Sequence, residues 1–212
     1  MPSTIVHLGL AGLLAAALVR DDHFGRRAVA VVLIAAALPD LDSFLSPVLA
    51  GAHRAVGHNL ILPAIAAAVL AYDTRVRAES WILARFGASG AGVAWVAIAA
   101  FSVAGVGLDY AFNGVNLLWP IHDRFYTLKG RAVLSNQRGF VQTFVEFAPE
   151  SEPESVRTTD NTHYVTGVDP SPGAEPEDVE RVFPLATSGW QLLIAATGYG
   201  VLAARFLREA RE

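Results

Sequence analysis

PDLDSFLSPVLAGAHRAVGHN, residues Pro39–Asn59, separates two apolar runs. Asp40 and Asp42 follow the first run, and His53 and His58 precede the second. Asp and His together form a ligand set for a divalent ion such as Zn²⁺ or Mn²⁺. Placed at one end of membrane helices, this connection reads as the floor of a metal site at a membrane surface. The rest of the chain is then expected to hold it there.

Working outward, Ala28–Leu38 and Leu60–Tyr72 flank the connection, and Pro39 is expected to break the helix before it. Beyond them lie Thr4–Val19 and the longest run, Ala91–Phe112. Thr4–Val19 has neither a basic start nor a clear small-residue cleavage site, so it reads as a retained span. Gly189–Leu207 is a further apolar run. The whole chain is 53% hydrophobic and 17% charged with a mean hydropathy of +0.39, which points to a membrane protein. The expected fold is an all-α integral membrane protein of about five transmembrane or membrane-embedded helices.

A polar insertion precedes the last helix. Gly139–Phe147 alternates as a strand does, whereas Glu150–Glu180 is rich in Pro, Ser and Glu and reads as irregular. The expected divisions are a helical core with the His/Asp cluster at 1–125, an acidic extracytoplasmic insertion at 126–187, and a last helix with a short tail at 188–212. Arginine is in excess at 20–27, at 73–87 and after Phe206, which assigns these segments to the cytoplasm and the N-terminus to the outside. His7, Asp40, Asp42, His53, His58 and Asp109 then share the outer layer of a plasma-membrane protein.

The chain has no cysteine, which excludes disulfides and thiolate sites, and no basic stripe for nucleic acid. HExxH and GxSxG are absent, and VGLD at 106–109 is not GxGD. A lone PDxD is more often a capped helix end, and a lone interfacial His a solvated residue; the metal reading needs them together. Asp109, near the end of a long apolar run, calls for a cation. Arg54 suits a phosphate or carboxylate oxygen. The near absence of lysine beside acidic loops suits a halophilic archaeon.

His7, Pro39-Asp40-Leu41-Asp42, His53-Arg54 through His58, Leu108-Asp109, and Gly114–Pro120 (GVNLLWP) follow one another in an order that resembles the YdjM-like family. This is a family of membrane-bound proteins regarded as metal-dependent hydrolases, distantly similar to the zinc phospholipase C and nuclease fold. The resemblance covers roughly 1–125. It departs at Gly105, where the family usually has the His of HxxxD, and at Gly57-His58-Asn59, where the family tends to THS. The missing His leaves room for a single-metal site, for His122 as a substitute, or for a chain that no longer catalyses.

The expected function is hydrolysis of a lipid or lipid-linked phosphoester by a metal-activated water. His7, Asp42, His53, His58 and Asp109 are the expected ligands. Asp40 is a further ligand or the base, and Arg54 holds a phosphoryl oxygen. The alternative is a non-catalytic membrane protein with a structural metal or polar cluster, whose acidic outer segment binds a protein partner.

Overall fold

The computed structural model describes residues 2–144 and 156–211. Alanine, leucine and valine runs fold as helices α1 (Thr4–Leu18), α2 (Arg26–Ala37), α3 (Ile61–Arg75), α4 (Trp81–Ala100), α5 (Leu108–Phe112) and α6 (Gly189–Glu209). A π-helical turn, Phe101–Gly107, joins α4 to α5. Strands β1 (Ala132–Ser135) and β2 (Gly139–Gln142) pair antiparallel as a hairpin.

The expectation of about five transmembrane helices is overturned. Among the described residues only two helices are long and apolar enough to cross a membrane: the stretch Trp81–Phe112, kinked at Gly87, with a mean hydropathy of 2.0, and Gly189–Glu209, at 1.2. Helices α1 and α3 have 15 residues each and α2 has 12. At 1.5 Å per residue these reach about 18–23 Å, short of a roughly 30 Å hydrocarbon core. Apolar composition counted residues, but chain breaks set the lengths. Pro39 has no N–H and its ring clashes with a preceding carbonyl, so α2 stops and the chain tightens into a 3₁₀ turn over Pro39–Phe44.

Two smaller expectations also change. The arginine-bearing segment expected between apolar runs at 73–87 is largely helical, because α3 runs to Arg75 and α4 begins at Trp81. Asp73 makes the sharp turn workable: its carboxylate accepts the N–H groups of Trp81 (3.2 Å) and Ile82 (3.0 Å), while the Ser80 hydroxyl accepts that of Leu83 (3.0 Å). The strand expected over 139–147 ends at Gln142, and 145–147 lie outside the described residues.

The core between α1, α2, α4 and α6 is built from small side chains, including Ala11, Ala15, Val32, Ala36, Ala97 and Ala100. Helices α1 and α6 cross at glycines. A Cβ on Gly198 would lie 1.9 Å from the Gly9 carbonyl oxygen, so only hydrogen permits this approach. Outward positions stay apolar as well: Ile34, Ile65, Val69, Leu192 and Leu193 are all exposed. An apolar exterior over an apolar core suits a lipid surround.

Candidate metal centre

Four segments converge on one buried point. Helix α1 brings His7, the 3₁₀ turn brings Asp40 and Asp42, the loop before α3 brings His53, Arg54 and His58, and α5 brings Asp109. All are buried except Asp40, which is half-buried. Every residue singled out in the sequence for this site is therefore gathered here. Two groups of ligand atoms, Asp42/His53/His58 and His7/Asp40/Asp109, are each clustered within 4.8 Å and can hold a metal ion.

Asp42 is the hub. One carboxylate oxygen accepts His53 Nδ1–H at 2.7 Å. The other accepts the backbone N–H of Arg54 and of Gly57, both at 3.0 Å, and His58 Nδ1–H at 2.9 Å. Burial works to raise its pKa, but His58 and His53 outweigh burial and hold the carboxyl well below the usual carboxylate range. For Asp40, likewise, burial is outweighed by the adjacent His58 and by the nearby His7, so it too sits low. The Thr4 hydroxyl donates to Asp40.

The imidazole tautomers follow from these partners. The Ala104 carbonyl, in the π-helical turn, can only accept, so His7 presents N–H at Nδ1 and a lone pair at Nε2. Asp42 imposes the same tautomer on His58. The two Nε2 atoms are buried without a hydrogen-bond partner. They point at carboxylate oxygens instead: His58 Nε2 lies 3.0 Å from Asp109 and 3.4 Å from Asp40, and His7 Nε2 lies 3.6 Å from Asp109. Lone pairs and anionic oxygens repel unless a cation or a proton stands between them. Burial opposes a charged His58, yet Asp42, Asp109 and Asp40 raise its pKa well above the ordinary value. For His53 burial prevails over Asp42, and its pKa is lowered.

Charge leads to the same requirement. Asp40, Asp42 and Asp109 face a single guanidinium, Arg54, whose Nη2 donates to Asp109 at 2.9 Å. With the imidazoles neutral, as metal ligation requires, two negative charges are left over, the complement of one divalent ion. The donor set of oxygen and imidazole nitrogen, with histidines anchored through Nδ1 by a carboxylate and a carbonyl, fits such an ion.

The Gly105 departure has a packing explanation. A Cβ at Gly105 would stand 2.8 Å from Pro39 Cγ and 3.0 Å from the Ala36 carbonyl, so the PDLD turn occupies the space of a side chain. His122 does not replace the missing imidazole: it is exposed, and its ring neighbours Tyr126 at 6.1 Å. His163 pairs with Asp169 at 3.7 Å, and His23 with Asp22 at 3.5 Å.

Sequence reasoning passed over three supports. Thr4 carries no motif. Asn59 was only a departure from THS, yet its side-chain oxygen accepts the Leu62 N–H at 3.0 Å and caps α3 beside His58. Tyr164, in the stretch read as irregular, lies over the Arg54 guanidinium at 4.4 Å, with its hydroxyl on the Asn113 carbonyl at 2.9 Å. Nothing in the sequence linked it to a residue so distant along the chain. An apolar cleft of about 440 Å³, lined by Leu10, Leu60, Val106, Leu108 and Leu117 among others, opens beside the sequence neighbours of the cluster.

No curated protein and no solved structure matches the chain, so the implied likeness to the zinc phospholipase C fold gains no support. The family described as YdjM inner membrane protein matches residues 1–163, extending past the cluster into the insertion.

Proposed function

The chain belongs to the YdjM inner membrane protein family, and from that premise we propose that it is a membrane-bound, metal-dependent hydrolase of lipid or lipid-linked phosphoesters. The observation that carries this reading is the pair of buried, unpartnered Nε2 atoms of His7 and His58 facing Asp40 and Asp109. His7, His58 and Asp109 would hold the ion, with Zn²⁺ the first choice and Mn²⁺ the second. Asp42 orients His58 and His53, and His53 keeps its Nε2 buried without a partner. When bound, such an ion supplies Lewis acidity and lowers the pKa of a water to about 7.

The remaining chemistry belongs to the chain. Arg54 keeps Nε and Nη1 buried and without partners while Nη2 is tied to Asp109, so its free edge receives a phosphoryl oxygen. Asp40, the most accessible carboxylate of the cluster, takes the proton from the attacking water. The apolar cleft receives the hydrocarbon part of the substrate. Arg20, Arg26, Arg27, Arg75, Arg77, Arg205 and Arg208 lie at helix ends opposite to those bearing the cluster, which supports a cluster on the outer side of the plasma membrane.

A second reading is favoured by Gly105: without the family's imidazole, the cluster is a closed structural metal site in a non-catalytic protein. Elemental analysis of detergent-purified wild type and His58→Ala/Asp109→Ala, followed by assay of phosphate release from phospholipid phosphomonoesters, separates the readings. Metal in the wild type alone, together with turnover, supports the hydrolase. Metal without turnover on any phosphoester supports the structural site. Wild-type protein that takes up no Zn²⁺ or Mn²⁺ on reloading refutes both metal-binding readings and leaves the cluster as a polar network.

A further inference from the structure

We propose that the β1–β2 hairpin is a membrane-surface anchor that lays one apolar face into anionic lipid on the side of the Asp/His cluster. Leu134 and Phe140 are direct cross-strand partners, so both project from the same face. They are 85% and 71% exposed. A two-stranded hairpin is marginal in water by itself, and this one shows its largest side chains to solvent rather than to the helices.

Lys129 and Arg131 precede β1 and Arg138 precedes β2 in the chain, and no acidic residue occurs between Asp123 and Glu146. Among the described residues these three cations make no ion pair. In a chain of net charge −4, this is a local cationic stretch. Exposed apolar side chains on a hairpin with basic residues at its strand ends match the boundary between acyl chains and anionic headgroups.

The hairpin is also tethered at the right level. The Leu128 N–H donates to the Tyr110 carbonyl at 2.9 Å, and Tyr110 lies in the last turn of Trp81–Phe112, the longer candidate span. The hairpin therefore springs from the end of that span which carries Asp109. The proposal rests on the membrane placement of this helix and is independent of the metal reading.

The chain has no cysteine, so single cysteines report cleanly. Leu134→Cys, and Ala174→Cys as an exposed control, are labelled with an environment-sensitive fluorophore. Each full-length protein is placed in nanodiscs of phosphatidylcholine, with or without phosphatidylglycerol, containing spin-labelled lipid. The expected result is blue-shifted, strongly quenched emission at 134 in the phosphatidylglycerol discs. Quenching is weaker in phosphatidylcholine alone, is lost in the Arg131→Glu/Arg138→Glu background, and is absent at 174. Water-like emission at 134 overturns the proposal, as does equal quenching in both lipid compositions. Shielded emission that spin-labelled lipid does not quench also overturns it, and assigns the face to a protein partner or to the chain's own acidic segment.

Discussion

At the scale of single residues, Asp42 has the largest structural consequence in the cluster. It receives two imidazoles and two backbone amides, so Asp42→Ala strands four donors, three of them buried. The expected cost is about 3–5 kcal/mol, read as a drop in Tm in detergent. With His58 no longer oriented, Zn²⁺ affinity measured by competition with a chelating dye should fall about 10–100-fold. His58 makes the site pH-dependent. Its pKa in the metal-free fold is raised above the ordinary 6.5, so its stabilising contribution is full below that value and is lost as pH climbs through the folded-state pKa. A metal ion must displace the same proton. The Tm gain on adding Zn²⁺ should therefore grow with rising pH, and calorimetric titrations in buffers of different ionisation heat should register proton release. A Tm gain that shrinks with rising pH would contradict the assigned tautomers.

At the scale of elements, the turn after α2 is held between two glycines. A Cβ on Gly57 would meet the Pro39 carbonyl oxygen at 2.4 Å, and one on Gly105 would meet the Pro39 ring at 2.8 Å. Gly105→Ala should cost about 1–3 kcal/mol through overpacking and loosen metal binding along with it. Gly105→His, which restores the family motif on paper, should lower Tm further instead of adding a ligand. A Gly105→His protein with unchanged Tm and tighter metal binding would show that the turn can move aside. The α1–α6 crossing is similar. Gly198→Leu should separate the two helices and displace His7, because backbone rather than a flexible side chain occupies the space. A cross-link between cysteines placed on facing turns should form in the parent and fail in the variant.

At the scale of the whole molecule, the cluster ties α1, the turn after α2, the loop before α3 and α5 into one unit, so metal removal should loosen the bundle as a whole. Chelation is expected to lower Tm and to expose the 39–59 connection to protease, and Zn²⁺ should reverse both. For orientation, cysteines introduced at Ser3 and at Arg211 should react oppositely with a membrane-impermeant maleimide on intact cells, Ser3→Cys reacting and Arg211→Cys not; the reverse pattern would invert the assignment. The sequence by itself determined the membrane character, the break at Pro39, the order of the helices and every member of the His/Asp cluster. It could do so because apolar runs, a proline and charged residues beside apolar runs are local signals. Only the tertiary structure decided how long the helices are, that Asp42 holds imidazoles while His7 and His58 offer Nε2, why position 105 is glycine, and that Tyr164 covers Arg54. Those outcomes depend on which backbones approach closely enough to exclude a side chain or share a proton, and such distances are set between segments far apart in the chain.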